Sequence, residues 1–232
     1  MAYTFEPLGK VLSVCVSAEH TFGTDAFLLS AFASVKARDA VCDLGTGCGI
    51  IPILWFRPGH TPPQKVVAVD IQPQAIDQLQ TTLRRFPLPI LPLCEDLKTL
   101  SLDAGSFDLV TCNPPYKSGG SGIVSRSDAD RIARHETLCT MDDIAACAGR
   151  LLKFGGRFCL CQRPERLCDV ICAMKAHGLE PKRLRFVHKD ASSAPWLFLI
   201  EGKKGAKPFL KVENPFLTNS EEMKRLYRED TP

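Results

Sequence analysis

Apolar and polar positions along this chain fall into an alternating series of short buried runs and amphipathic stretches. From Asp25 to Val35, apolar residues recur at Ala26, Leu28, Leu29, Phe32 and Ala33, a spacing that places them on one helical face. Asp39 to Leu44 is a short apolar run of strand length, followed by a glycine turn and a predicted helix from Ile50 to Phe56. The segment RPGHTPPQ cannot continue that helix, because its prolines lack the backbone donor and clash with the preceding turn. Val66 to Val69 reads as a second buried strand closing on Asp70. Pro73 opens a helix to about Phe86, since the first helical turn has no use for the missing N–H. Leu88 to Leu93 is a weaker, proline-broken strand, and Phe107 to Cys112 is a fourth. Met141 to Phe154 reads as a helix stopped by Gly155-Gly156. A strand from Arg157 to Gln162 follows, then a helix from Glu165 to His177 stopped by Gly178. Leu184–His188 and Trp196–Glu201 have no long helix between them and predict an antiparallel hairpin, with a short helix from Glu221 to Arg228 after it.

Strands alternating with helices predict an α/β fold: a mostly parallel sheet of seven strands, helices on both faces, and a C-terminal antiparallel hairpin. Ligands of such sheets sit beyond the carboxyl ends of the strands, where the strand order reverses. The expected organisation is one domain over 1–232, with an N-terminal extension (1–38), a core (39–202) and a basic tail (203–232).

Composition narrows the class. Apolar residues are 45% and charged residues 24%, the balance of a globular protein. No run approaches the roughly 18 apolar residues of a membrane span, and MAYTFEPLGK lacks the charged leader and apolar run of a signal peptide. The expectation is a cytoplasmic protein without a membrane partner. Eleven cysteines include no CxxC pair, which argues against a metal site or a disulfide framework. Cys42, Cys94, Cys112, Cys159 and Cys161 lie in or beside apolar runs and read as small core residues of a reduced protein. Cys48 stands in the glycine turn, near any ligand there. The net charge of +3 says little, but cations cluster at Arg126, Arg131, Arg134 and His135, and again through the C-terminal third. Such clusters suit a polyanion or are a solvated surface.

The turn after the first strand reads Asp43-Leu44-Gly45-Thr46-Gly47-Cys48-Gly49. Glycines there allow a tight turn and close approach of a ligand to backbone. The spacing is GxGxG rather than the GxGxxG of a dinucleotide site, which disfavours a nicotinamide dehydrogenase. The carboxylate two places before the first glycine would repel a pyrophosphate and attract an ammonium group. Asp70 closes the next strand 21 residues after Gly49; an acid about 20 residues on is where a ribose diol is held. This pattern resembles the class I methyltransferases, Rossmann-like enzymes that use S-adenosylmethionine, over roughly residues 20 to 162. The resemblance implies that Asp43, Gly45, Thr46, Gly47, Gly49 and Asp70 surround that cofactor, that Asp96 of Glu95-Asp96-Leu97 bonds its adenine amine, and that Leu97 lies near the ring. Ile71 either packs on the adenine face or belongs to the core.

Asn113-Pro114-Pro115-Tyr116 follows the fourth strand directly. An exocyclic amine is a poor nucleophile because its lone pair is delocalised into the ring. The Asn113 side-chain oxygen and the Pro114 carbonyl can accept its two N–H bonds, favouring a more tetrahedral nitrogen. Prolines stiffen the loop, so the acceptors are preorganised, and Tyr116 can stack on a flat substrate. The motif serves amine methylation of adenine, cytosine, guanine and glutamine alike.

Further segments choose among these. Phe22-Gly23-Thr24-Asp25-Ala26-Phe27-Leu28-Leu29, DLGTGCGI, NPPYKSGGSG and Ala133-Arg134-His135-Glu136 together resemble bacterial tRNA adenine-N6 methyltransferases that modify the purine 3′ of a valine anticodon, adenosine 37. The resemblance implies that Thr24 and Asp25 sit at the cofactor's methionine end and that the partner is the tRNA anticodon loop. Lys117, Arg126, Arg131, Arg134 and His135 would meet RNA. Read without the family, Thr24-Asp25 is a helix cap and Arg134–Glu136 a surface ion pair. Lys117 departs from the family, which often has an aromatic residue there, so stacking falls on Tyr116. Release-factor glutamine, rRNA guanine N2 and DNA adenine are the alternative substrates. A non-catalytic RNA-binding module is the alternative class.

Overall fold

The computed structural model describes residues 2–18, 20–114 and 139–228. A hairpin opens the chain: β1 (Thr4–Pro7) pairs antiparallel with β2 (Ser13–Val16). Then come α1 (Thr24–Phe32), β3 (Ala40–Leu44), α2 (Ile50–Leu54), β4 (Lys65–Asp70), α3 (Pro73–Arg85), β5 (Ile90–Cys94) and β6 (Phe107–Cys112). After 115–138 the chain continues with α4 (Met141–Leu151), β7 (Leu152–Gln162), a 3₁₀ turn (Pro164–Arg166), α5 (Leu167–Ala176), β8 (Leu179–His188) and β9 (Pro195–Lys204). Two short strands, β10 (Lys211–Val212) and β11 (Phe216–Leu217), precede α6 (Glu221–Arg228).

The main sheet runs β10-β8-β9-β7-β6-β3-β4-β5, with β11 also on the free edge of β8. From β7 to β5 neighbours are parallel; β9 is antiparallel to both β7 and β8. The seven long strands are those the periodicity predicts, and β10 and β11 add two residues each to one edge. The chain winds from β3 outward to β5, then returns to lay β6 on the other side of β3. That reversal opens a crevice between the carboxyl ends of β3 and β6.

Burial explains the layers. β3 is buried on both faces, so it reads as a continuous apolar run rather than an alternation. One face packs against α1, α2, α3 and the hairpin through Leu29, Ile53 and Leu79; the other packs against α4 and α5 through Leu151, Val170 and Met174. Thr140 caps α4 in a capping box with Asp143, its hydroxyl accepting from the Asp143 amide at 3.2 Å.

Two sequence expectations change. The helix from Met141 stops at Leu151, not Phe154, and β7 already begins at Leu152. Gly155 (φ 78°) and Gly156 sit within an irregularity of the β6–β7 ladder rather than at a helix end. The first residues also hold an unpredicted hairpin, which lies on α3: the Cys15 amide donates to Thr82 Oγ1 at 2.9 Å and the Tyr3 hydroxyl to Asp77 at 2.6 Å.

A candidate active site at the strand-order reversal

A cavity of about 680 Å³ occupies the crevice, within the ~300–1,000 Å³ range of small-molecule sites. Its wall draws on the end of every parallel strand from β5 to β7: Asp96 and Leu97 after β5, Asp70 and Ile71 after β4, Gly45 to Gly47 after β3, Asn113 and Pro114 after β6, and Gln162 at the end of β7.

The glycine turn is built for close approach. Gly45 (φ 68°) and Gly47 (φ 57°) adopt left-handed backbone, and a Cβ at either would meet no atom within 4 Å. Both project open backbone into the crevice. Gly49 (φ 83°) is different: it does not line the cavity, and a Cβ there would collide with Leu79 of α3. Its role is to let α2 start against α3.

Asp70 ties the turn to the next strand. One carboxylate oxygen accepts from the Gly47 amide at 2.8 Å, and the other accepts from the Gln72 amide at 2.9 Å. A carboxylate oxygen accepts more than one hydrogen bond, so each retains capacity toward the cavity. Ile71, an expected ring contact, is 45% exposed on the wall, which is an apolar surface left for a flat partner rather than a core position. Asp96 turns one oxygen to the Lys98 amide at 2.9 Å, fixing the loop that presents Leu97.

Asp43 lies beneath the cavity and does not line it. It is fully buried and accepts from the Thr111 hydroxyl at 2.5 Å. Burial drives its pKa up to about 7 and the charge of Asp70 adds to this, against the hydrogen bond from the Thr111 hydroxyl. Asp43 Oδ2 and the buried Thr46 Oγ1 have no hydrogen-bond partner among the described residues. A cationic ligand group above the turn would supply what this pair lacks.

Asn113 is held from both sides. Its Nδ2 donates to Asp25 Oδ2 at 2.9 Å, and its Oδ1 accepts from Cys161 Sγ at 3.0 Å. A carboxylate can only accept, so Asp25 selects the amide face of Asn113 and turns the carbonyl the other way. This bond joins two motifs 88 positions apart, which sequence periodicity has no means to reveal. Thr24 does not face this cavity; its hydroxyl pairs with the Tyr227 hydroxyl at 2.8 Å. Residue 23, not Thr24, is the N-cap of α1, and no side chain caps it.

Some wall residues had no sequence signal: His20, Gln162, Arg166, and the Cys139–Met141 segment before α4. Pro115, Tyr116, Lys117, Arg126, Arg131, Arg134 and His135 lie outside the described residues. Cys48 is buried and its thiol is pushed up to about 12 by burial, so it is no nucleophile. None of the eleven cysteines is in a disulfide; Cys94, expected in the core, is exposed.

Comparison with known proteins agrees with this geometry. A family model described as the methyltransferase small domain matches residues 14–164. A tRNA1(Val) (adenine(37)-N6)-methyltransferase of Parabacteroides distasonis is 28% identical over 212 residues, covering 90% of this chain and 86% of the relative. Its counterpart in Phocaeicola vulgatus is 27% identical over 188 residues, covering 78% and 76%. Among solved structures, a predicted O-methyltransferase from Agrobacterium tumefaciens superposes with a TM-score of 0.70 at 17% identity, covering 88% of this chain and 95% of that one. Strand order, glycine turn and a family match spanning more than half of the sequence converge: the chain belongs to the methyltransferase small domain family.

Proposed function

We propose that this protein transfers a methyl group from S-adenosylmethionine to the N6 amine of adenosine 37 in the anticodon loop of a tRNA. The observation that carries the reading is the Asn113 amide, oriented by Asp25 at the strand-order reversal, in a chain whose relatives along most of its length are named for that reaction.

The cavity residues fit the cofactor. Gly45 and Gly47 give open backbone for its amino-acid end. The unpartnered oxygens of Asp43 and Thr46 suit a nearby ammonium group. Asp70 has spare acceptor capacity for a ribose diol, and Ile71, Asp96 and Leu97 offer two apolar surfaces and an acid for an aminopurine. When bound, the cofactor supplies an electrophilic methyl group and keeps the electron pair of the broken C–S bond.

The protein's part is to make the amine nucleophilic and to aim it. Asn113 Oδ1 accepts from Cys161 at 3.0 Å, and as an amide oxygen with two lone pairs it is the side-chain acceptor offered to a substrate N–H. The Pro114 carbonyl is the second acceptor. Two accepted hydrogen bonds draw the nitrogen toward tetrahedral geometry and point its lone pair at the methyl carbon. The surplus proton leaves afterwards to water, so no strong base is needed before attack; positioning supplies the rate. Tyr116 stacks on the base, and Lys117, Arg126, Arg131, Arg134 and His135 meet the RNA backbone. An anticodon-loop base costs less to splay into the cavity than a paired one.

The test is to incubate the protein with methyl-labelled S-adenosylmethionine and unmodified bulk tRNA, then digest to nucleosides. Labelled N6-methyladenosine is expected. Label absent from tRNA but present in rRNA, DNA or release factor supplied in parallel would overturn the substrate.

A further inference from the structure

A second cavity opens beside the first. It measures about 710 Å³, and Thr24, Lys189, Trp196, Met223, Lys224 and Tyr227 form most of its wall. Thr24 and Asp25 are consecutive in the chain, yet Asp25 lines the catalytic cavity and Thr24 lines this one. Both cavities lie at the same end of the sheet. β9 is antiparallel to β7, so the β8–β9 loop that carries Lys189 sits at the edge where β7 ends.

We propose that this second cavity binds the RNA strand flanking the target nucleotide, with a neighbouring base against Trp196 and Tyr227 and phosphates at Lys189 and Lys224. The inference rests on the reading of RNA as substrate and adds to it a site outside the methylation cavity.

The wall is fixed in place. α6 belongs to the basic tail, and buried Arg57 (3% exposed) clamps its last turn. The guanidinium donates to the Leu226 carbonyl at 2.9 Å and the Tyr227 carbonyl at 3.3 Å, acceptors that a helix C-terminus leaves unsatisfied. Arg185 adds a two-pronged pair to Glu222 at 2.8 and 2.9 Å, and Met223 is buried beneath. Tyr227 is braced by the Thr24 hydroxyl and by Phe27, ring centroids 4.6 Å apart, but remains 44% exposed. Trp196 is braced by Arg163, which donates to its carbonyl at 2.9 Å and lies 5.7 Å from its ring centroid. Two immobilised aromatic rings therefore share one concave wall.

The charge fits a nucleic acid strand. Lys189 is exposed at the rim, and Lys224, paired within its helix to Glu221, keeps a side chain 53% exposed. The neighbouring Asp190 accepts from the Ser192 amide at 2.9 Å and hydroxyl at 2.7 Å and keeps its negative charge, so the phosphate contacts fall on Lys189 and Lys224. Stacking platforms combined with lysines are how single-stranded nucleic acid is held without sequence readout, because every base has a π-face and every nucleotide a phosphate. Consecutive residues facing two cavities suit consecutive nucleotides of one strand.

The test uses the full chain, an anticodon stem-loop RNA, and the variants Lys189→Gln with Lys224→Gln, and Trp196→Leu. RNA affinity is read by fluorescence anisotropy over a range of salt, with cofactor affinity and thermal melting measured alongside. The double lysine variant should bind RNA ~10-fold more weakly, with a log–log salt slope shallower by about 1.4, the effect of two phosphate contacts on a single strand. Trp196→Leu should weaken binding by ~5- to 100-fold with the slope kept. Cofactor affinity and kcat at saturating RNA should stay near wild type in both. Unchanged RNA affinity and slope in the variants, with a wild type that does methylate RNA, would overturn this inference alone. Failure of the wild type to bind RNA would overturn the substrate reading with it.

Discussion

Asp25 is the residue whose replacement speaks most directly to the mechanism. Its carboxylate accepts from Asn113 Nδ2 at 2.9 Å. Asp25→Ala removes the charged acceptor of Asn113 Nδ2 and leaves the weaker Cys161 thiol donor to hold the carbonyl, so its direction is less firmly fixed. A hydrogen bond to a charged group is worth about 1.5–3 kcal/mol, and about 1.4 kcal/mol is tenfold in rate. If that energy serves to hold the acceptor, kcat should fall roughly 10- to 150-fold. Asp25→Asn retains an acceptor of neutral strength and should recover most of the loss, leaving about 3- to 10-fold. The assay is single-turnover methylation at saturating cofactor and RNA, with cofactor affinity measured separately by calorimetry. Cofactor affinity should fall by less than the rate does, since Asp25 lines the cofactor cavity but the larger loss belongs to the reacting geometry. An unchanged kcat in Asp25→Ala, or a loss of cofactor affinity as large as the loss of rate, would refute the positioning role.

Other residues separate binding from folding. Asp70→Ala removes the acceptor of the Gly47 and Gln72 amides as well as the diol site, so cofactor affinity should fall by ~100-fold or more, judged from two charge-assisted bonds lost; calorimetry checks this. Gly49→Ala combines left-handed backbone with a collision against buried Leu79, and should cost about 2–4 kcal/mol of stability in denaturant unfolding. Asp43 gives a pH signature: its folded pKa, about 7, lies above its ordinary 3.8. Between these values the unfolded chain is ionised while the folded one holds the proton, so this group makes stability fall as pH rises from about 4 to about 7, then level off. Asp43→Asn should flatten that slope in melts taken across the range.

The fold was legible where burial and period agree. β3 and β4 are apolar runs bounded by a glycine turn and a proline, and α3 has Pro73 at its first turn; all fall within a residue or two of their predicted limits. Elsewhere the chain's chemistry is quieter. Each strand of the N-terminal hairpin is four residues long, too short for alternation to register, and its stability comes from α3. β8 carries Pro181 and four charged residues, Glu180, Lys182, Arg183 and Arg185, and its ladder slips between Pro181 and Arg183, so only its second half looks like a strand. Gly155-Gly156 looks like a helix stop but serves a bulge beyond one. In the site, the residues that follow strands were readable because topology forces strand ends together. Asp25 against Asn113 and Arg57 under α6 were not, because such contacts arise from packing between distant segments. The same limit hid the division of the glycine turn into two backbone cradles and one packing contact at Gly49.

The most direct test of the central claim pairs a substrate change with Asn113. Valine tRNA transcripts carrying adenosine or guanosine immediately 3′ of the anticodon are offered, with labelled cofactor, to wild type and to Asn113→Ala. The account predicts N6-methyladenosine in the adenosine transcript alone. It also predicts that Asn113→Ala lowers the rate on the order of 100-fold while cofactor affinity is nearly kept. Label that persists in the guanosine transcript would contradict the assigned position, and an undiminished rate in Asn113→Ala would contradict the mechanism.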